Sequence, residues 1–125
     1  MAPRFDPQVG TGPMVRGFTA DGRFRLEEGE HSAVLLTPER AFGWDAPALA
    51  DLTAYHVADA LALERPPEFL LLGTGPSLVR PPLAFVRALE EQGIGVEAMD
   101  SRAAARTWAV LRAEERWIAA ALLPL

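Results

Sequence analysis

The residues best suited to chemistry lie at two turns, each of which follows an apolar segment. Gly73-Thr74-Gly75 ends the apolar run 68–73, and Asp100-Ser101 follows the segment 94–99. Backbone N–H groups at a glycine turn can bind an anion, an arginine can hold an anionic group, and an aspartate can orient a ligand or exchange a proton. The residues that could form one candidate rim for a ligand or a partner are Gly73, Thr74, Gly75, Asp100, Arg106 and Thr107.

Structural roles compete with each of these assignments. No Lys-Ser or Lys-Thr follows the glycine turn and no third glycine stands at the dinucleotide-binding offset, so a turn that needs positive φ or close packing is favoured over an anion or small-ligand site. Asp100 is favoured as a helix cap, and Arg106 as a surface or ion-paired residue. Thr107 suits the core or a bond to the preceding helical turn.

The sequence contains no recognisable catalytic or metal-binding constellation. There is no cysteine, and His31 and His56 have no carboxylates at a spacing that indicates a metal. Ser77 stands in Gly-Pro-Ser-Leu-Val, which is not the Gly-x-Ser-x-Gly nucleophile pattern. We therefore assign no catalytic residue, metal or cofactor, and the sequence favours a protein that is not an enzyme without deciding the point.

The first third of the chain has the pattern of antiparallel β-structure. Asp21-Gly22 predicts a two-residue type I′ hairpin turn, and Phe24 and Leu26 alternate with charged residues as in a half-buried strand. Further strands are predicted over 32–38 and 41–44. The N-terminal residues 1–14, rich in Pro and Gly, are expected to form a flexible arm.

The rest of the chain alternates helical and strand patterns. In chain order, the predictions are a helix over 54–64 capped by Thr53, a strand over 68–73, a helix with Pro82 in its first turn and Gly93 at its C-cap, a strand over 94–99, a helix over 102–113, and a strand over 116–123. This order implies parallel strands joined by crossover helices. We expect one three-layer α/β domain over 15–125, with a central mixed sheet preceded by an antiparallel hairpin region.

Charge and hydropathy narrow the range of partners. The net charge of −5 argues against a nucleic-acid binder and against attraction to an anionic membrane surface. No apolar run approaches the roughly 18 residues of a membrane span, and no secretory signal is visible, so a cytoplasmic protein is expected.

Several short motifs together resemble a known family. They are Leu-Leu-Gly-Thr-Gly at 71–75, Gly-Ile-Gly-Val-Glu at 93–97, Met99-Asp100 and Arg106-Thr107. Over roughly residues 10–123, the chain resembles small domains of unknown function that include the mitochondrial complex I assembly factor of the third type and the adipogenesis-associated domain protein. The resemblance implies a three-layer fold with a central mixed sheet, no established enzymatic activity, and a protein partner in building a respiratory complex. The family commonly continues Arg-Thr with Tyr-Asn, whereas this chain has Trp108-Ala109, which favours a packing role for the ring.

The sequence is therefore consistent with two functions. The first is a non-enzymatic interaction domain, with an assembly role for a complex I-like membrane complex. The second is a binder of a small molecule or anion, or an enzyme, that uses the candidate rim. A weak homodimer through an edge strand or the 41–44 region is a further expectation, because antiparallel edges readily pair.

Overall fold

The structure is a computed structural model that describes residues 12–125. Most of the predicted N-terminal arm, residues 1–14, lies outside this range. The strands are β1 (Gly17–Phe18), β2 (Phe24–Leu26), β3 (Gly29–His31), β4 (Val34–Leu36), β5 (Ala41–Gly43), β6 (Phe69–Gly73), β7 (Gly95–Met99) and β8 (Ala119–Leu122). The α-helices are α1 (Ala58–Leu61), α2 (Leu83–Glu90) and α3 (Ser101–Ala113), and short 3₁₀ turns cover Leu49–Asp51 and Ala54–Val57.

A mixed sheet forms the centre of the fold. Its five strands run in the order β5-β4-β8-β6-β7, and β1, β2 and β3 form a separate three-stranded antiparallel sheet. Strand β6 pairs in parallel with both β7 and β8, whereas β4 is antiparallel to β5 and β8. The predicted α/β fold with parallel crossovers is therefore confirmed.

The central sheet is covered on both faces, which gives three layers. Side chains alternate between faces along a strand, so Leu71 points to one apolar cluster while Leu70 and Leu72 point to the other. The first cluster also takes residues from α3 and the three-stranded sheet, and the second takes residues from α1, α2 and the 3₁₀ turn before α1. Two-sided cover explains why β6 is a continuous apolar run.

The two long helices follow their sequence signals closely. Asp100 is the N-cap of α3, and its Oδ1 accepts a hydrogen bond from the Ala103 N–H at 2.9 Å. Trp108 is fully buried and its indole N–H donates to the Pro13 carbonyl oxygen at 2.9 Å, so its predicted packing role is confirmed. Pro82 precedes the first residue of α2 instead of lying in its first turn, while Gly93 has the expected positive φ of 79°.

The predicted type I′ turn at Asp21-Gly22 is wrong. Gly22 has a φ of 83°, but Asp21 does not share the positive φ that this turn type needs at both positions. The Gly22 N–H instead donates to the Thr19 carbonyl oxygen, and the Thr19 N–H donates to that of Arg23. These bonds describe a longer hairpin loop, in which a type I turn is followed by one left-handed glycine.

The predicted helix over 54–64 is also wrong in length. A 3₁₀ turn at Ala54–Val57 leads into the single turn α1, and Ala62 leaves the helix with a ψ of 65°. Burial explains the short helix, because Tyr55 is 85% exposed and the buried residues of this stretch are Val57 and Ala60. Most helical stability in proteins comes from packing of an apolar face, and this one is small.

Two strands are much shorter than predicted, and one strand was not predicted. The strand predicted over 32–38 spans only β4, and the one predicted over 116–123 spans only β8. Before β8, the Arg116 side chain donates to the Glu68 carboxylate, and the Trp117 indole N–H donates to the Arg65 carbonyl oxygen. These bonds anchor the segment that connects α3 to β8. Strand β3 was not predicted; it pairs with β2 through Gly29, Glu30 and His31.

Candidate functional site

A buried serine joins the two turns at the carboxyl edge of the parallel strands. The Ser101 side chain is 0% exposed; its Oγ accepts from the Gly75 N–H at 2.9 Å and donates to the Leu123 carbonyl oxygen at 2.8 Å. The Ser101 N–H in turn donates to the Gly75 carbonyl oxygen at 2.8 Å. One side chain thus connects the end of β6, the start of α3 and the end of β8.

The threonine between the two glycines anchors the loop that follows it. The Thr74 N–H donates to the Met99 carbonyl oxygen at 2.8 Å, which joins the ends of β6 and β7. Its hydroxyl donates to the Ser77 carbonyl oxygen at 2.7 Å and accepts from the Val79 N–H at 3.0 Å. A residue that is 6% exposed therefore fixes the backbone of the loop over 75–79.

Both glycines have a structural reason to be glycine. A Cβ atom at Gly73 would stand 2.7 Å from Ser101 Oγ and 2.8 Å from Ser101 Cα, closer than packed atoms tolerate. Gly75 has a φ of 109°, a region that residues with a Cβ rarely adopt. These features agree with the favoured sequence interpretation, a turn that needs positive φ and close packing.

The candidate rim is brought together only in part. Asp100 lies beside the glycine turn, because Ser101 bonds to Gly75 and Met99 to Thr74, but its Oδ1 already caps α3. Arg106 is exposed and Thr107 is half-buried on α3, and within residues 12–125 neither takes part in a side-chain hydrogen bond or ion pair. The rim as a binding site stays a prediction.

An apolar surface that we did not predict lies directly beside the anchored turn. Leu78 is 64% exposed, Val79 is 48% exposed, and Leu83, the first residue of α2, is 61% exposed. Arg80 and Arg87 are exposed in the same stretch. We call Leu78, Val79, Arg80, Leu83 and Arg87 the loop surface. A sequence signal existed, since Leu78 and Val79 stand between prolines where neither a strand nor a helix could bury them.

The shortest ion pair within residues 12–125 lies at the opposite end of β6. Arg116 Nη2 is 2.8 Å from Glu68 Oε1, and its hydrogen bond lowers the pKa of Glu68, while the same bond raises the pKa of Arg116. Burial lowers the pKa of Arg112, whose Nη1 donates to the Arg116 carbonyl oxygen. These groups stabilise the connection before β8 and are separate from the glycine turn.

The described residues offer little for metal chemistry. Within residues 12–125 no group of three or more His, Asp or Glu side chains could hold a metal ion.

A surface cleft of about 490 Å³ has Arg16, Glu27 and Arg40 among its lining residues and includes none of the candidate rim. In the part of the chain that the structure describes, no helix combines the length and the apolar character that crossing a membrane requires.

The fold and its edge define a small α/β domain whose glycine turn is closed by internal hydrogen bonds. Residues 18–123 match the family described as a protein of unknown function (DUF498/DUF598), and the chain belongs to this family. The family resemblance predicted from the motifs is thus confirmed.

Three relatives illustrate the similarity. The chain is 32% identical over 87 residues to NADH dehydrogenase [ubiquinone] 1 alpha subcomplex assembly factor 3 of Danio rerio; the match covers 70% of this chain and 50% of that protein, so the chain spans about half of that relative's length. It is 33% identical over 126 residues to an uncharacterized protein of Rhodobacter capsulatus, covering 100% of this chain and 94% of the relative. The crystal structure of a Bordetella parapertussis protein superposes with a TM-score of 0.80 at 38% identity, covering 92% of this chain and 98% of that one.

Proposed function

We propose that this protein is a non-enzymatic interaction domain that helps to assemble a respiratory, complex I-like membrane complex. The observation that carries the proposal is a difference between the glycine turn and the loop beside it, at the carboxyl edge of the parallel strands. The polar groups of the glycine turn bond within the protein, while the adjoining loop exposes Leu78, Val79 and Leu83. Exposed apolar side chains grouped in one stretch are typical of surfaces that contact other proteins.

The assembly role extends the interaction proposal to a particular process. Its support is the 32% identity with the zebrafish assembly factor over 70% of this chain. A role that depends on binding fits the exposed apolar loop beside the internally bonded turn. A cytoplasmic location and a weak homodimer stay predictions.

A gene deletion in the protein's own host tests the assembly role. We expect deletion to reduce the amount of assembled NADH:quinone reductase in native gels of the membranes, while succinate oxidation, which bypasses this complex, stays unchanged. Expression of the wild-type chain should restore assembly. Normal levels of the assembled complex in the deletion strain would contradict the proposed role.

The second candidate function is an anion or small-molecule site at the candidate rim, which includes Gly73, Thr74, Asp100 and Arg106. The exposed Arg106 side chain, in the second turn of α3, is the feature that favours it. A thermal-shift screen with phosphates, nucleotides and dicarboxylates tests it, because a ligand at 100 times its Kd adds about 2.7 kcal/mol to stability. Arg106→Ala should abolish such a shift.

A further inference from the structure

We propose that the loop surface binds an acidic, apolar segment of a partner protein; this inference rests on the proposed interaction function and specifies the chemistry of the partner. The surface comprises Leu78, Val79, Arg80, Leu83 and Arg87. Its apolar residues supply area for burial, and its arginines select the charge of what binds.

The apolar part of the surface is continuous in the chain and exposed. Leu78 and Val79 precede Pro81-Pro82, and Leu83 opens α2 immediately after them. Two of the three apolar side chains are more than 60% exposed, Leu78 at 64% and Leu83 at 61%. Burying a leucine side chain that was exposed stabilises a complex, because apolar area leaves water.

The charge of the surface is opposite to that of the molecule. The whole chain carries a net charge of −5, yet no acidic residue occurs between Glu68 and Glu90, a stretch that contains Arg80 and Arg87. Leu83 and Arg87 are four residues apart on α2 and therefore lie on the same helical face. Charge complementarity thus favours a partner segment with Asp or Glu beside its apolar side chains.

The loop is held in shape before any partner arrives. The Thr74 hydroxyl bonds to the backbone at Ser77 and at Val79, and Pro76, Pro81 and Pro82 restrict the backbone further. An ordered loop loses less conformational entropy on binding than a mobile one. This preorganisation suits recognition of a specific segment of protein.

The same charges disfavour two other occupants. In a two-fold symmetric contact between copies of this chain, each surface would meet a copy of itself, which carries the same positive charge. An anionic lipid surface would attract Arg80 and Arg87, but a chain of net charge −5 would be repelled by it as a whole. Both occupants are outcomes of the experiment below.

Site-specific photo-crosslinking of the full chain, expressed in its own host, tests the inference. The photoreactive residue p-benzoylphenylalanine replaces Leu78 in one tagged variant and Leu83 in another. A matched control carries it at Val110, 59% exposed, on α3, which packs on the opposite face of the central sheet from α2. The crosslinked partner peptide is then sequenced by mass spectrometry.

We expect one protein to crosslink at positions 78 and 83 but not at the Val110 control, through a segment that is net negative and contains apolar residues. Arg80→Glu should reduce the crosslink yield at position 78 at least about tenfold, because like charges that face each other across an interface are strongly unfavourable. Arg80→Lys, which keeps the charge, should retain most of the yield.

Other results would overturn the inference. Crosslinks to a basic segment, to lipid, or to a second copy of the chain would each contradict it, as would equal yields at Val110 and Leu78. Co-purification of the unlabelled wild-type chain separates the two proposals. If it recovers a partner that never crosslinks at 78 or 83, the loop surface is wrong and the interaction function stands; if it recovers none and no crosslink forms, both fail.

Discussion

Replacing Ser101 by alanine should destabilise the protein substantially. The Gly75 N–H would lose its acceptor and the Leu123 carbonyl oxygen its donor, in a place where the serine is 0% exposed. A buried donor left without a partner costs about 1–3 kcal/mol. Alanine is a better helix former than serine by a few tenths of a kcal/mol, which offsets a small part. The net expected loss for Ser101→Ala is about 2 kcal/mol.

Urea unfolding followed by circular dichroism measures this loss. With an m-value of about 1.5 kcal/mol per molar urea, which is ordinary for a small protein, a loss of 2 kcal/mol lowers the unfolding midpoint by about 1.3 M. The m-value should stay constant, because the same surface becomes exposed on unfolding.

The matched control is Ser77→Ala. The Ser77 side chain is exposed. The Thr74 hydroxyl bonds to the backbone carbonyl oxygen of Ser77, which is still present in the alanine variant. Its midpoint should stay within about 0.3 M of the wild type, as expected for a surface change of at most 0.5 kcal/mol. If Ser101→Ala behaved in the same way, the assignment of Ser101 as the connection between the two turns would be refuted.

Three further predictions follow from contacts in the same structure. Gly73→Ala should lose about 1–3 kcal/mol through overpacking, whereas Gly95→Ala, whose Cβ would meet its nearest atom at 3.6 Å, should change the urea midpoint little; equal midpoints would contradict the close approach at Gly73. Thr74→Val should speed hydrogen exchange of the loop amides that the hydroxyl orders, and unchanged exchange rates would show that the hydroxyl does not hold the loop. Because Arg116 lowers the pKa of Glu68 in the folded state, the stability that Glu68 contributes is present above its unfolded pKa of about 4.5 and is lost as pH falls through the folded value. The melting temperature of the wild type should therefore exceed that of Glu68→Gln at pH 7 and approach it in acid, and a difference that stays constant with pH would contradict this.

The long elements of the fold were predictable because their signals are local. The apolar run of β6 and the capped, periodic pattern of α3 each identify one element without knowledge of the rest. Their alternation then predicted the parallel pairing, because strands joined by a crossover helix run in the same direction. The short elements were not predicted correctly because they depend on contacts with other elements. Strand β3 depends on its partner β2, and α1 belongs to a stretch whose buried residues are only Val57 and Ala60.

The candidate rim was predictable in position but not in detail. The sequence pattern predicted that Gly73, Gly75 and Asp100 lie at neighbouring turns, and hydrogen bonds join these two turns in the structure. The hydrogen bond from the Gly75 N–H to Ser101 Oγ was not predicted, because the sequence does not distinguish a buried serine from a capping serine. The exposure of Leu78 was also not predicted, because apolar residues are usually buried, although the prolines on either side of Leu78 and Val79 were a signal for it.

The most direct test of the central claim is quantitative affinity co-purification from the protein's own host at native expression. The tagged wild type is compared with a Leu78→Ser/Leu83→Ser double variant whose urea midpoint matches it. We expect subunits or maturation proteins of a respiratory membrane complex to be enriched with the wild type and lost with the double variant. No enriched protein with the wild type, under gentle conditions, would contradict the interaction function itself.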